Sequence, residues 1–245
     1  MKTMILCAGL GTRLKPWTES HPKALVPVGG IPMLKRVIMR LAAQGFDEVT
    51  LNVHHFPEQI VSFVETESLP VKGINISDES DSLLDTGGGI LHARKFLAMD
   101  SRPFLVHNVD ILSNADLKSL YQIHVDSGND ITLLVSDRNS DRRLVFDRDM
   151  NLKGWRNIKS GEIRPADLPF SRSDKDYAFS GIYVMSTDVF KMLEDFGNEG
   201  KFPIMNFFLA NIRQLKIAGV VQDDLDLIDI GKPDTLCRAN MLMSV

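Results

Sequence analysis

Apolar runs and helix-like spacings alternate along residues 1–137. Short apolar stretches bounded by turn-forming residues predict buried strands at Thr3–Ala8, Glu48–Val53, Val71–Ser77, Phe104–Asn108 and Ile131–Ser136. Apolar residues three and four positions apart predict helices at Met33–Gln44, Pro57–Glu65, Ile90–Leu97 and Asp116–Asp126. Alternating strands and helices form βαβ units, so we expect an α/β fold with a mainly parallel sheet and helices on both faces.

The pattern changes after residue 137. Three strand-like segments follow one another without regular helices between them, at Leu144–Asp147, Leu152–Trp155 and Tyr177–Met185. The remaining elements are expected to be helices at Asp188–Phe196, Met205–Gln214 and Pro233–Met243, and strands at Lys216–Val221 and Leu227–Ile230. Because no linker-like stretch divides the chain, we expect a single domain over residues 1–245, with halves 1–137 and 138–245.

Composition narrows the classes of function. The chain has 245 residues, of which 44% are hydrophobic and 24% charged, as in ordinary globular proteins. Its formal net charge of −4 argues against a nucleic-acid partner, because such proteins usually carry a basic surface. No apolar run is long enough for a membrane span or a signal segment, so we expect a cytoplasmic protein without a membrane partner. Cys7 and Cys237 are expected to be buried, reduced thiols.

A glycine-rich loop follows the first predicted strand, in the stretch Leu6-Cys7-Ala8-Gly9-Leu10-Gly11-Thr12-Arg13-Leu14. Glycines allow a phosphate chain to approach the backbone, whose N–H groups can bind its oxygens. The loop has neither the Walker A spacing nor the dinucleotide fingerprint. Two cations, Arg13 and Lys23, flank it, and fixed cations suit phosphoryl or nucleotidyl transfer. A tight turn with two solvated surface cations is the alternative.

The joint pattern closely resembles the signature of sugar-1-phosphate nucleotidyltransferases. It consists of Ala8-Gly9-x-Gly11-Thr12-Arg13-Leu14 with Pro16, followed by Pro22-Lys23-x-Leu25-x-Pro27-Val28. The resemblance implies a Rossmann-like mixed sheet of the glycosyltransferase-A-like kind, Mg²⁺ as cofactor, and direct attack of a sugar phosphate on the α-phosphorus of a nucleoside triphosphate. It also implies catalytic roles for Arg13 and Lys23. Nucleotide binding is assigned to Leu6, Ala8, Gly9, Gly11, Thr12 and Arg13, within the half 1–137.

Two carboxylates are the candidate metal ligands. Asp110 follows the predicted strand Phe104–Asn108, and the carboxyl ends of parallel strands face the ligand crevice. Asp229 lies in Leu227-Ile228-Asp229-Ile230-Gly231-Lys232-Pro233, which resembles a second segment of the family. Carboxylate oxygens suit Mg²⁺. An ordinary turn aspartate is the alternative at each position. Val109 and Lys232 depart from the family pattern, and no role is assigned to Lys232.

Other segments are similar to the family's base-reading and sugar-binding segments. Asp85-Thr86-Gly87-Gly88-Gly89 is expected to be a turn that binds the nucleotide, although packing alone would also explain its glycines. The turn resembles most that of bacterial N-acetylmuramate-1-phosphate uridylyltransferases. The resemblance assigns sugar-phosphate binding in the half 138–245, together with the end of the fourth strand, to Asn108, Arg156, Asn157, Ser180 and Gly181.

The expected reaction joins a nucleoside triphosphate to a sugar 1-phosphate and releases pyrophosphate. UTP with N-acetylmuramate 1-phosphate or another hexose 1-phosphate is the first expectation. The alternatives are GTP with mannose or heptose 1-phosphate, dTTP with glucose 1-phosphate, CTP with a phosphoalcohol, and a non-catalytic nucleotide-binding regulator. A homodimer is an open alternative to a monomer.

Overall fold

The computed structural model describes residues 1–169, 171–197 and 200–243. Its strands are β1 (Lys2–Leu6), β2 (Pro27–Val28), β3 (Ile31–Pro32), β4 (Glu48–Val53), β5 (Gly73–Asp78), β6 (Phe104–Asn108), β7 (Ile111–Ser113), β8 (Ile131–Ser136), β9 (Arg142–Phe146), β10 (Leu152–Asn157), β11 (Ile163–Arg164), β12 (Lys175–Met185), β13 (Ile217–Val221) and β14 (Leu227–Asp229). Its helices are α1 (Met33–Ala43), α2 (Pro57–Thr66), α3 (Asp85–His92), α4 (Arg94–Leu97), α5 (Leu117–Ser127), α6 (Phe190–Phe196), α7 (Ile204–Asn211) and α8 (Pro233–Met243).

Within these residues, ten strands form one mixed sheet. Its main path is β11-β10-β9-β12-β6-β1-β4-β5, and β8 pairs with both β12 and β13. The strands β6, β1, β4 and β5 run parallel to one another, as the βαβ pattern predicts. The long strand β12 runs antiparallel to β6, β8 and β9, so that strands from both halves of the chain share the sheet.

Apolar residues on the two faces of the sheet pack into two separate layers. In β1, Ile5 belongs to a cluster with residues of α1, α2, α5 and α8, whereas Met4 belongs to a cluster with residues of α3, α4, α6 and α7. This alternation follows from the two-residue period of a strand. The predicted α/β sheet with helices on both faces is therefore confirmed. No helix in the described ranges is long and apolar enough to cross a bilayer.

Two expectations from the sequence are wrong. The segment Asp85–Gly89 is not a turn before a helix but the first part of α3. The helix has glycines here because its close packing leaves no room for side chains: a Cβ on Gly89 would lie 2.6 Å from Glu79 Oε1. Tertiary packing thus overrides the low helix propensity of glycine. Cys237 is exposed on α8, whereas Cys7 is buried and unpaired as expected.

The parallel strands position the site, because β1 and β6 end at the same edge of the sheet. Leu6 of β1 pairs with Asn108 of β6, so the glycine-rich loop and the segment after β6 begin side by side. Beyond this edge, β7 and β14 form a separate two-stranded antiparallel ribbon, whose pairing the apolar pattern does not predict. A polar crevice at the carboxyl ends of parallel strands is the usual ligand position in such sheets.

Candidate active site

The glycine-rich loop brings Lys23 back to the end of β1. Gly11 has a φ of +62°, which favours glycine. A Cβ on Gly11 would lie 2.8 Å from Thr18 Cγ2 and 2.9 Å from Lys23 Cβ. The hydroxyl of Thr18 donates to the Gly11 carbonyl at 2.9 Å. Gly11 therefore permits the returning segment to pack on the loop, whereas Gly9 is exposed and a Cβ added there would meet no atom within 4 Å.

The two candidate metal ligands lie at one end of the β7–β14 ribbon. Asp110 immediately precedes β7, and Asp229 is the last residue of β14 and pairs with Ile111. The backbone N–H of Ile230 donates to the carbonyl of Asp110 at 3.0 Å. Residues that are 119 positions apart are thus held together by backbone pairing, so the ribbon brings both carboxylates to the same place.

Cations surround these carboxylates. Lys23 Nζ forms a short ion pair with Asp110 Oδ2, and both side chains are largely buried. A Cβ on Gly231 would lie 2.6 Å from Arg13 Nη2, 2.8 Å from Asp229 Oδ1 and 3.3 Å from Lys23 Nζ. Arg13, Lys23 and Asp229 therefore converge on one point, and the ion pair adds Asp110 to the same cluster. The buried Gly231 leaves room for it.

The donor set fits a magnesium ion. The described residues contain no group of three or more His, Cys, Asp or Glu side chains that could hold a metal. Mg²⁺ is usually held by one or two carboxylates together with substrate phosphates and water, so Asp110 and Asp229 would suffice. One oxygen of Asp229 accepts the Gly231 N–H at 2.7 Å, which fixes the carboxylate in the ribbon turn.

A smaller cavity of about 310 Å³ lies above the end of β1. Its lining includes predicted nucleotide-binding residues of two separate segments together with Lys23 and Asp110. These residues are Leu6, Ala8, Gly9, Asp85 and Thr86. Burial raises the pKa of the Cys7 thiol, which also lines this cavity, so the thiol stays protonated and is no nucleophile.

The buried acid Glu79 is hydrogen-bonded to Asn52, a residue that lines the smaller cavity. Glu79 Oε1 accepts from Asn52 Nδ2 at 2.8 Å, and Asn52 Oδ1 accepts from the Cys7 N–H at 2.8 Å. Glu79 Oε2 accepts from the Leu84 N–H at 3.3 Å, next to α3. Burial raises the pKa of Glu79. The network joins the ends of β1 and β4 to the start of α3, and no motif in the sequence indicates it.

A larger cavity of about 750 Å³ adjoins the smaller one, and Leu6, Thr86 and Asn108 line both. Arg13, Asp229, Ser180 and Gly181 line it, as do the aromatic residues Trp155, Phe179 and Tyr183. Gly181 has a φ of +77°, and a Cβ there would lie 2.7 Å from Asn108 Nδ2. The absence of a side chain at Gly181 therefore keeps Asn108 at the junction of the two cavities.

Five predicted site residues do not line either cavity. Gly11 and Thr12 lie in the loop beside them, and Gly87 packs on Phe202, whose carbonyl accepts the Gly87 N–H at 2.9 Å. Arg156 forms a short ion pair with Asp176. Asn157 Oδ1 accepts the N–H groups of Lys159 and Ser160 at 2.9 and 3.1 Å, in a turn. The structure thus brings neither Arg156 nor Asn157 to the larger cavity, and their assigned role stays a prediction.

Comparison with known proteins decides the family. Residues 2–244 match a family model described as nucleotidyl transferase. The chain belongs to the nucleotidyl transferase family. It is 32% identical over 239 residues to the D-glycero-alpha-D-manno-heptose 1-phosphate guanylyltransferase of Campylobacter jejuni, covering 96% of each chain.

Two further nucleotidyl transferase relatives are informative. The chain is 36% identical over 138 residues to mannose-1-phosphate guanylyltransferase 1 of Arabidopsis thaliana, covering 56% of this chain but only 38% of that one. The crystal structure of HddC from Yersinia pseudotuberculosis complexed with GMP-PN superposes with a TM-score of 0.77 at 25% identity and covers 98% of both chains. These relatives do not support the N-acetylmuramate uridylyltransferase specificity that the Asp85–Gly89 segment suggested.

Three further cations line the larger cavity of this nucleotidyl transferase and were not predicted as site residues. They are Arg138, Arg142 and Lys232. Arg138 belongs to the polar loop between β8 and β9, Arg142 is the first residue of β9, and Lys232 follows Gly231 in the ribbon turn. The position of the loop directly after a buried strand was a usable signal, because such loops line the crevice. Only the antiparallel placement of β9 and β12 shows that the loop faces the site.

Proposed function

We propose that this protein transfers a guanylyl group from GTP to a sugar 1-phosphate of the mannose or heptose class and releases pyrophosphate. The observation that carries the proposal is the convergence of Asp110, Asp229, Arg13 and Lys23 where two cavities meet. A nucleotide in the smaller cavity and a sugar phosphate in the larger one would have their phosphates at this cluster.

The reaction needs orientation and charge stabilisation more than proton transfer. An oxygen of the sugar phosphate attacks the α-phosphorus, the bond between that phosphorus and the bridging oxygen to the β-phosphate breaks, and pyrophosphate leaves with the electron pair. The attacking phosphate is already an anion at neutral pH, so no general base is required. Arg13 and Lys23 offset the charge that develops on phosphorus and leaving group. Mg²⁺ held by Asp110 and Asp229 would neutralise phosphate charge and orient both anions.

The relatives favour guanine and a manno-configured sugar. The Campylobacter jejuni relative is named a heptose 1-phosphate guanylyltransferase, and the Arabidopsis thaliana relative a mannose-1-phosphate guanylyltransferase. The first of these has nearly the same length as this chain, so its similarity extends over both cavities rather than over one segment. We propose further that the protein is cytoplasmic and binds neither nucleic acid nor membrane, in keeping with its net charge of −4.

A second candidate is uridylyl transfer to N-acetylmuramate 1-phosphate. Besides the Asp85–Gly89 resemblance, one observation favours it: the larger cavity carries Arg142 and Lys232 in addition to the cations needed at the phosphates. Muramate carries a carboxylate, which mannose and heptose lack, and a guanidinium can bind a carboxylate in a bidentate manner.

The proposal of a homodimer is independent of both candidates and is tested by sedimentation.

A substrate panel tests the proposal. Pyrophosphate release is measured with Mg²⁺ and each of GTP, UTP, dTTP, CTP and ATP, combined with mannose, heptose, glucose and N-acetylmuramate 1-phosphates. We expect the largest kcat/KM for GTP with mannose or heptose 1-phosphate. A preference for UTP with N-acetylmuramate 1-phosphate would establish the second candidate instead. Nucleotide binding without pyrophosphate release in any combination would contradict both and indicate a regulator.

A further inference from the structure

Arg138 is the one arginine of the loop between β8 and β9, and it is half-buried without an acidic partner among the described residues. Two more arginines, Arg142 and Arg143, follow as the first residues of β9. Arg143 donates to Asp137 at 2.8 Å, and Arg142 is exposed at the start of β9. Arg138 forms no ion pair with a described residue, although its guanidinium lines the larger cavity.

Among residues 1–169, 171–197 and 200–243, one hydrogen bond holds the Arg138 guanidinium in place. Nη2 donates to the carbonyl of Phe179 at 2.9 Å, on the strand segment that continues into Ser180 and Gly181. Nε is buried and has no hydrogen-bond partner in the part of the chain that the structure describes. The guanidinium therefore keeps donor capacity that no described residue uses, at a residue that lines the larger cavity.

The charge of Arg138 is also uncompensated by direct contact. Burial lowers the pKa of its guanidinium, and the nearby positive charge of Arg143 acts in the same direction, whereas the charge of Asp229 raises it. Asp229 lies at the junction of the cavities, where the reaction is proposed to occur. A desolvated cation without a bonded anion is unfavourable, and an anionic ligand that binds both the guanidinium and the Asp229 side of the cavity removes that cost.

We propose that Arg138 binds the phosphate group of the sugar 1-phosphate, in the role that the family resemblance assigned to Arg156. The inference rests on the proposed function, because it takes a sugar phosphate to be the occupant of the larger cavity. Arg156 forms an ion pair with Asp176 and does not line that cavity, whereas Arg138 lines it and forms no ion pair among the described residues. Arg138 binds the attacking phosphate from the end of β8, in addition to the cluster that contains Arg13 and Lys23.

Arg138→Ala and Arg138→Lys are compared with Arg148→Ala by steady-state kinetics with both substrates varied. Arg148 is the matched control, because it is an exposed arginine outside both cavities whose nearest acid is its neighbour Asp149 at 3.5 Å. For Arg138→Ala we expect the KM for the sugar 1-phosphate to rise about 30-fold or more, as for loss of one partner of a buried charge pair, while the KM for the triphosphate changes less than about threefold. Arg138→Lys should recover part of the loss, and Arg148→Ala should match the wild type.

Thermal unfolding separates binding from a structural role. Removal of a half-buried cation that has no ion-pair partner should leave the melting temperature of Arg138→Ala equal to or above that of the wild type. A sugar-phosphate KM that does not change, or one that rises together with the triphosphate KM and a lower melting temperature, would overturn the inference. A wild type that turns over no substrate pair contradicts the proposed function itself. In that case, titration of wild type and Arg138→Ala with mannose 1-phosphate tests the anion site separately, and equal affinities would overturn it.

Discussion

The smaller and the larger cavity share a wall but differ in how their charges are arranged. In the smaller cavity, the cation Lys23 is paired with Asp110, and the buried acid Glu79 is hydrogen-bonded to its neighbours. The larger cavity is lined by Arg13, Arg138, Arg142 and Lys232, none of which forms an ion pair within the described residues. The smaller cavity therefore has no excess of positive charge, since Lys23 faces both Asp85 and Asp110, whereas the four cations of the larger cavity outnumber its acids Asp141 and Asp229.

This difference fits the division of labour that we propose. A triphosphate with Mg²⁺ brings its own counter-charge, so the smaller cavity needs few free cations. A sugar 1-phosphate that must approach another phosphate needs positive charge on the protein, because the two anions repel each other. Asp110 lines the smaller cavity and Asp229 the larger one, and the β7–β14 ribbon holds them together. Changes at these carboxylates should therefore have the largest effects, and changes elsewhere in one cavity should have smaller and more selective ones.

Replacing the junction carboxylates should abolish turnover. Asp110→Asn and Asp229→Asn each remove one anionic ligand while keeping the shape of the side chain, and we expect kcat/KM in Mg²⁺ to fall by roughly 1,000-fold or more, since the divalent ion supplies several kcal/mol of charge stabilisation. Pyrophosphate release gives the rate, and circular dichroism checks the fold. Asp149→Asn, at an exposed residue, is the control. Near-normal rates in both variants would refute the metal assignment and remove the junction from the comparison.

Arg13→Ala should have the next largest effect. Arg13 is exposed at the rim, yet its Nη2 lies close to Asp229 and Gly231. Loss of one preorganised charge donor typically lowers kcat by about 100-fold or more, and we expect a loss of that size with little change in the melting temperature. Arg36→Ala, which removes a guanidinium on the α1 side, outside both cavities, controls for general loss of positive charge. An unchanged kcat would make Arg13 an ordinary surface residue.

Two glycines distinguish ligand approach from packing. Gly9 lines the smaller cavity, where a Cβ would meet no protein atom, so Gly9→Ala should leave stability within about 0.5 kcal/mol and lower kcat/KM about tenfold by obstructing the phosphate chain. At Gly87 a Cβ would overlap the Phe202 ring, so Gly87→Ala should lower the free energy of unfolding by about 1–3 kcal/mol. Urea unfolding and kinetics of both variants give the answer. A destabilised Gly9→Ala or a fully stable Gly87→Ala would reverse the two assignments.

The sequence predicts the parallel half of the sheet well, because β1, β4 and β6 are short segments rich in apolar residues and bounded by turn-forming residues. It also indicates that the glycine-rich loop and Asp110 are site residues, because each comes just after a predicted strand. It does not predict the partners that depend on distant pairing. Arg138 lines the larger cavity because β12 pairs with β8. Arg156 does not line it, because its guanidinium forms an ion pair with Asp176 of β12. Periodicity carries no information on such long-range contacts.

Glu79→Gln should have the smallest effect, and it tests whether the smaller cavity depends on a buried acid. Burial raises the pKa of folded Glu79 above its ordinary value of 4.5, so between that value and the folded pKa the folded state binds more protons than the unfolded state. Stability due to Glu79 therefore falls as the pH rises through this window, by about 1.4 kcal/mol for each tenfold difference in proton affinity between the two states.

In Glu79→Gln this slope should vanish, while the Asn52 contact persists because the amide oxygen still accepts. Urea midpoints of wild type and variant between pH 4 and pH 7 measure the difference. Parallel pH profiles of the two proteins would show that Glu79 has the same pKa in the folded and unfolded states. The contrast between a buried acid beside the smaller cavity and an unpaired cation, Arg138, in the larger one would then be wrong.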